Sequence, residues 1–115
     1  MKPYQFMVAL AATCLTSAAF AGNGAAAGAE ITGIGIDAQI GNMAFIGIRP
    51  NTKGNNPACS TNTGWSFVLP LNTPLQLQML AMLVSARANS QQITLAGSGL
   101  CDTYSDVETL VFVSY

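Results

Sequence analysis

The chain has 115 residues, of which 50% are hydrophobic, and it carries only four basic and five acidic side chains and no histidine. The lack of histidine excludes Ser-His and Cys-His nucleophile pairs, and so few lysines and arginines cannot form the basic groove that nucleic-acid binding requires. We therefore expect a protein that is not an enzyme, binds no nucleic acid and uses no cofactor or metal.

The N-terminus has the pattern of an export signal. A positive start at Lys2 precedes an apolar run over residues 6–15, and residues 19–21 read A-x-A. We expect residues 1–21 to be a signal peptide and the mature protein to be secreted or periplasmic. We expect no membrane span, because the run is far shorter than the ~20 apolar residues that a span needs. The alternative is cleavage after Ala29, because residues 27–29 read Ala-Gly-Ala and also fit the cleavage pattern.

The mature chain is long enough for one small domain. Residues 22–29 are small and of low complexity, which predicts a flexible leader, and residues 30–115 are predicted to form the domain. Cys59 and Cys101 remain after export, and an even pair of cysteines in an oxidising compartment predicts a disulfide. The alternative is a reactive or metal-bound thiol pair, although no histidine is present to complete a zinc site.

Hydrophobic periodicity predicts five strands and one helix. The first two strands, over residues 34–40 and 43–48, are predicted to be joined by a two-residue hairpin turn at Gly41-Asn42. A long loop, a third strand, a helix with an Asn-Thr-Pro start and two further strands follow, over residues 49–63, 65–69, 74–88, 91–96 and 107–114. This order predicts a mainly β fold, a small five-stranded OB-type barrel with one α-helix between strands three and four. Such barrels mostly serve as binding platforms.

The predicted helix is unusually apolar, whereas an ordinary surface helix keeps a wide polar face. Leu80, Leu83 and Val84 are expected to face the barrel. The apolar surface is extended around the helix by Leu75, Met79, Met82 and Ala86. We expect the first three of these to form an interface between copies of the chain. The alternative is a barrel that covers an unusually broad stripe of the helix.

Two aromatic residues lie in or near predicted loops. Tyr104 lies between Asp102 and Asp106, where packing explains a large aromatic side chain poorly, so it is a candidate for stacking on a sugar. Asp102 is a candidate hydrogen-bonding partner beside it. Trp65 is expected to pack on the disulfide or to cap the barrel, with sugar stacking as the alternative.

The remaining charges give weaker signals. Arg49 and Lys53 flank the long loop and are expected to be solubilising charges, with binding of a carboxylate as the alternative. The spacing of Asp102, Asp106 and Glu108 matches no calcium loop, so they are expected to be solvated loop charges. The alternative is a paired-carboxylate hydrolase.

Several segments resemble the B subunits of bacterial toxins with one A and five B chains, especially the subtilase-cytotoxin and pertussis-like group. The similar segments are TGIGI at 32–36, ACS at 58–60 followed by Trp65, the helix, and ANSQQI at 88–93. The resemblance implies a homo-oligomer, as a pentamer with the helix facing a central pore, and an A subunit as a possible partner. It also implies a cell-surface glycan of the sialic-acid type, bound through a first-strand serine that Thr32 replaces here. The toxins bridge their cysteines toward the second strand, whereas this chain has Cys101 instead.

The sequence therefore predicts an exported binding module that recognises a cell-surface glycan as a homo-oligomer. The predicted ligand-binding residues are Thr32, Tyr104 and Asp102. The alternative function is that of an exported structural or inhibitory protein that docks on a protein partner through its apolar helix.

Overall fold

A computed structural model describes residues 23–115, and the predicted signal peptide over residues 1–21 lies outside the described residues. The elements in chain order are β1 (Ala25–Ile36), β2 (Met43–Arg49), β3 (Phe67–Pro70), α1 (Pro74–Ala88), β4 (Gln92–Gly97) and β5 (Glu108–Ser114). The strands close into a barrel in the order β1-β2-β3-β5-β4, and β3 and β5 form its one parallel pair within this described range. The predicted five-stranded barrel with one helix between strands three and four is confirmed.

Strand β1 begins earlier than the sequence suggests. Ala25 pairs with Ala96 and Ala29 pairs with Ile93, so residues 25–29 belong to the sheet. The prediction of a flexible leader is wrong for these residues. The alanines of this segment give no apolar-polar alternation, so the sequence carries no strand signal here. Small side chains nevertheless fit where β1 closes the barrel, because the pairing is made by backbone hydrogen bonds and does not depend on large side chains. The pairing shifts register between Ala26 and Ala29, where Gly28 adopts a φ of 62°.

The connection between β1 and β2 is longer than the predicted two-residue turn. Strand β1 ends at Ile36, and the chain turns over residues 37–42. The turn forms at Asp37, whose carbonyl accepts from the N–H groups of Ile40 and Gly41 at 3.1 and 3.2 Å and whose carboxylate accepts from Gln39 N–H at 2.9 Å. An aspartate that bonds its own turn in this way ends the strand before the apolar alternation ends.

Helix α1 packs on the apolar interior of the barrel. The predicted Asn-Thr-Pro start is confirmed: Thr73 is the N-cap and Pro74 lies in the first turn, and Thr73 also forms a capping box with Gln76. The residues buried against the core are Leu83 and Ala86, so the expectation that Val84 faces the barrel is wrong: Val84 is 51% exposed. The side chains that fill the interior include Ile31, Ile46, Phe67, Leu69, Ile93 and Leu95. Within residues 23–115, no helix combines the length and hydropathy that crossing a membrane requires.

A second apolar cluster covers the outside of β2 and β3. Phe45, Val68 and Val107 are buried there, and Trp65 and Tyr104 pack against them. Side chains alternate between the two faces of a strand, so Phe45 points outward while its neighbours in β2 point into the barrel. The two loops over residues 50–66 and 98–107 carry Trp65 and Tyr104 to this outer face, and the candidate functional site lies there.

Candidate functional site

The disulfide joins the two loops that carry the aromatic side chains. Cys59 and Cys101 are bridged, with Cα atoms 6.1 Å apart and a separation of 42 positions in sequence, which confirms the predicted pairing. Closing a loop of this length stabilises the fold by roughly 4 kcal/mol in the chain-entropy account. The carbonyl of Asp106 also accepts from the N–H groups of Thr61 and Asn62, at 3.1 Å each. The two loops are therefore held together as one surface.

Asn62 organises the turn that leads into Trp65. Its side-chain oxygen accepts from the N–H groups of Gly64 and Trp65, both at 2.8 Å, and its amide group donates to the Asp106 carboxylate at 3.3 Å. One side chain thus fixes the backbone beside the tryptophan and ties it to the second loop. An Asn in a polar loop gives no signal of this role in the sequence.

Trp65 lies across the outer surface of β1. A Cβ atom at Gly33 would lie 3.6 Å from the indole, and one at Gly35 would lie 3.0 Å from it. The Phe45 ring is tilted against the indole, with the centroids 5.8 Å apart. The contacts that the structure shows are therefore with strands β1 and β2, and the indole is half-buried. Glycines in β1 leave the space that the ring occupies.

A cleft of about 300 Å³, here called the aromatic cleft, opens beside Trp65. It lies between the β1–β2 turn, the outer face of β2 and the two loops. Its lining includes Ile36, Asp37, Ile40, Phe45, Trp65 and Tyr104. The Tyr104 ring stands edge-on to Phe45 with the centroids 5.0 Å apart, and a bridge between Tyr104 and Val107 holds its loop. Three aromatic rings, those of Phe45, Trp65 and Tyr104, therefore border a space with polar groups at its edge.

A second cleft of about 360 Å³, here called the polar cleft, lies in the long loop. Its lining carries amide groups and hydroxyl groups, from Asn51, Asn56, Asn62, Thr52, Ser60 and Thr63. Trp65 and Asn62 line both clefts, so the two spaces meet at these residues. One cleft offers aromatic surface and the other offers hydrogen-bonding groups.

Lys53 lies at the polar cleft but is buried. Only 6% of its side chain is exposed, and its ammonium donates to Glu108 at 2.9 Å, to the Ser66 carbonyl at 2.8 Å and to the Ser60 hydroxyl at 3.2 Å. The ammonium also lies 4.3 Å from the centroid of the Phe67 ring. Burial lowers the pKa of Lys53, and Glu108 acts in the opposite direction. The expectation that Lys53 is a solubilising surface charge is wrong, because the residue is the partner of a buried carboxylate.

Glu108 is fully buried, so the expectation that it is a solvated loop charge is also wrong. Besides Lys53, its carboxylate accepts from the N–H groups of Gly24 at 2.8 Å and Gly99 at 2.9 Å. A Cβ atom at Gly24 or Gly97 would collide with this side chain. The pairing of Lys53 and Glu108 joins the start of the described chain to both loops. Within the described part of the chain, no group of acidic, cysteine or histidine side chains is arranged to hold a metal ion.

The three predicted ligand-binding residues lie in different places. Tyr104 lines the aromatic cleft. Thr32 is exposed on the same outer face, with its hydroxyl 3.0 Å from where a Cβ atom of Gly47 would be, but it lines neither cleft. Asp102 accepts from the Thr109 hydroxyl at 2.8 Å and also lies outside both clefts. Phe45, which also lines the aromatic cleft, was not predicted as a site residue. The signal that could have identified it is an apolar residue at an outward-facing position of β2, because such a side chain indicates that another part of the chain packs over it.

The apolar helix keeps an exposed stripe. Leu77, Ala81 and Val84 follow one another at helical spacing and are exposed. Of the predicted interface residues, Leu75 is 66% exposed, whereas Met79 packs against the barrel interior. The third, Met82, is half-buried, and its carbonyl accepts from the Tyr115 hydroxyl at 3.1 Å. The exposed stripe therefore consists of other residues than the predicted interface, of which Leu75 is the one exposed residue.

Comparison with known proteins found no family model, curated protein sequence or solved structure that matches the chain.

Proposed function

We propose that the mature protein is an exported glycan-binding module that acts as a homo-oligomer and has no catalytic activity. The observation that carries this proposal is the position of the aromatic cleft. OB-type barrels bind oligosaccharides and oligonucleotides on the face of strands two and three and on the loops between strands one and two and between strands four and five. The aromatic cleft lies on that surface and brings Trp65 and Tyr104 together there.

The chemistry of this cleft suits a sugar better than a nucleotide. A sugar ring has an apolar C–H face, which packs on aromatic rings, and a rim of hydroxyl groups, which bond to polar side chains. Trp65 and Tyr104 offer the first surface, and Asp37 and Asn62 offer the second. A phosphate backbone would need cations, and the one charged side chain that lines the cleft is the acidic Asp37.

The exposed stripe of α1 and the weakness of a single site both support the proposed self-association. A shallow cleft of this kind is expected to bind a glycan with a dissociation constant of ~1 mM, and several sites on one assembly raise the overall strength. Leu77 and Val84 are 53% and 51% exposed on the stripe. The resemblance to toxin B subunits favours another copy of the chain as its occupant, in a ring that a separate A subunit could use as its carrier.

The same stripe supports a second candidate function. An exported structural or inhibitory protein would dock this helix on a different protein and would have no need of the aromatic cleft. The Cys59–Cys101 disulfide suits either candidate, because both place the chain in an oxidising compartment outside the cytoplasm. The two candidates differ in what the outer face of the barrel binds.

A glycan array probed with the purified mature protein tests the proposal. We expect wild-type protein to be retained, and Tyr104→Ala to lose retention because one wall of the aromatic cleft is removed. Tyr115→Ala is the matched control, because Tyr115 is an exposed tyrosine that lines neither cleft. If the wild-type oligomer retains no glycan on a broad array, the proposed function fails and the docking protein becomes the better candidate.

A further inference from the structure

We infer that the binding site consists of two subsites that meet at Trp65, and that it takes a neutral oligosaccharide of at least two sugar residues. This inference rests on the proposed glycan-binding function and specifies its ligand. It departs from the acidic sugar that the resemblance to toxin B subunits implies.

The two clefts share part of their lining. The aromatic cleft and the polar cleft have comparable volumes, about 300 and 360 Å³, and both are lined by Trp65 and Asn62. A ligand that passes Trp65 therefore enters both spaces. A single sugar ring in either cleft would leave the other unfilled and would gain only part of the contact surface. Two linked sugars use both clefts and lose their translational freedom only once.

Hydrogen bonds hold the walls of the polar cleft in place. The Asn51 amide donates to the Thr63 carbonyl at 3.0 Å and accepts from the Ser66 hydroxyl at 2.7 Å. The Asn56 amide donates to the Ser60 carbonyl at 3.0 Å. These bonds fix the loop before any ligand arrives, which lowers the entropic cost of binding. The exposed hydroxyl groups of Thr52 and Thr63 then lie at the edge of an ordered wall, suited to sugar hydroxyl or acetamido groups.

The charges that line the two clefts favour a neutral ligand. The charged side chain that lines the polar cleft, Lys53, already uses its three N–H donors on Glu108, Ser66 and Ser60. The charged side chain that lines the aromatic cleft, Asp37, is an anion and repels a carboxylate. An acidic sugar would thus bury its charge without a cation to receive it, at a cost that a neutral sugar avoids.

The other two cations of the described chain lie elsewhere. Arg49 pairs with Glu30 at 3.2 Å, and Arg87 donates to the Ile31 carbonyl at 3.3 Å. Neither arginine lines either cleft. The recognition of an acidic sugar would therefore have to occur outside both clefts, for example at Thr32.

The experiment combines an array with a titration. The array carries neutral and sialylated glycans of one to six residues, and the titration follows the fluorescence of Trp65, which is the only tryptophan of the chain. We expect the retained glycans to be neutral, and the best of them to bind at least about tenfold more tightly than any of its component monosaccharides, because both clefts contribute.

Two threonine variants locate the second subsite. Thr63→Val removes an exposed hydroxyl from the polar cleft, and loss of one hydrogen bond is expected to weaken oligosaccharide binding about threefold to tenfold. Its binding of monosaccharides that occupy the aromatic cleft should not change. Thr61→Val is the matched control, because Thr61 lies in the same loop and lines neither cleft.

The outcomes separate this inference from the proposed function. Retention of no glycan refutes both. The two-subsite inference is refuted, and glycan binding is left intact, by either of two results. One is retention of sialylated glycans alone, and the other is a monosaccharide that binds as tightly as its parent oligosaccharide. Loss of binding in Thr32→Ala together with full oligosaccharide binding in Thr63→Val would also refute it, because the ligand would then lie outside the polar cleft.

Discussion

Trp65 lies so close to Gly35 that a side chain would not fit beneath the indole without movement. A Cβ atom at Gly35 would be 3.0 Å from Cη2 and 3.1 Å from Cζ2 of the ring. At Gly33, two residues earlier on the same face of β1, the nearest ring atom would be 3.6 Å away, an ordinary contact distance. The backbone of β1 therefore sets the position of the ring that both clefts share.

Gly35→Ala is expected to displace the indole by a few tenths of an ångström and to weaken glycan binding severalfold. A ring that borders two clefts cannot move without changing both. Gly33→Ala is the matched control, because the added methyl group has room, and its binding should remain within about twofold of wild type. Titration of both variants by Trp65 fluorescence checks this. Equal losses in the two variants would show that the position of the ring does not control binding.

Lys53 and Glu108 are expected to stabilise the fold strongly as a pair. Removing one partner by Lys53→Met or Glu108→Gln leaves the other group buried without its partner, and each change should lower the free energy of unfolding by about 3–5 kcal/mol. The double variant should lose much less than the sum of the two, since no uncompensated charge remains. Urea denaturation of the three variants measures these changes.

The control for this pair is Arg49→Met. Arg49 also pairs with a glutamate, but the arginine side chain is 68% exposed. An exposed ion pair contributes at most about 1 kcal/mol, so the free energy of unfolding should change little. If Arg49→Met lowers the free energy of unfolding as much as Lys53→Met does, burial does not explain the contribution of the Lys53–Glu108 pair to stability.

The signal peptide proposed for residues 1–21 predicts a mature chain that begins before Gly24. Cleavage after residue 29 would remove Ala26 and Ala29 from the core and would take away the Gly24 N–H that donates to Glu108. N-terminal sequencing of the exported protein should find Gly22 as the first residue. A chain beginning at Glu30 that is as stable as one beginning at Gly22 would contradict the role of this strand.

Self-association is expected to depend on the exposed stripe of α1. In light scattering, the wild-type mature protein should be an oligomer, and Val84→Glu should shift it toward the monomer, because a charge would be buried in an apolar contact. Gln78→Glu is the matched control, since it adds the same charge at an exposed position that is already polar. A wild-type monomer at micromolar concentration, or equal effects of the two variants, would contradict the homo-oligomer.

Local signals in the sequence were enough to predict most of the elements. The start of α1 was predictable because Thr73, Pro74 and Gln76 carry the capping signal within four positions. The start of β1 was not, because a run of alanine and glycine has no alternation, and only pairing with β4 gives it order. The end of β1 was missed because the turn depends on one aspartate rather than on the apolar pattern.

The site depended on contacts between distant parts of the chain. Lys53 and Glu108 are 55 positions apart, and nothing near either residue in the sequence indicates that it is buried. Asn62 lines both clefts only because the disulfide and Asp106 bring the two loops together. Tyr104 was predictable as a candidate because packing is not expected for an aromatic side chain in a polar loop. In the structure, part of its side chain does pack, against the apolar cluster on the outer face of β2.

The most direct test of glycan binding at Trp65 is a ¹H–¹⁵N NMR titration of the mature protein with the best neutral oligosaccharide from the array. The account predicts that the indole N–H of Trp65 and the amide signals of Gly35, Asn62 and Thr63 shift together and saturate at millimolar ligand, while the signals of α1 do not move. Shifts confined to α1, or no shift at Trp65 at the highest ligand concentration, would contradict it.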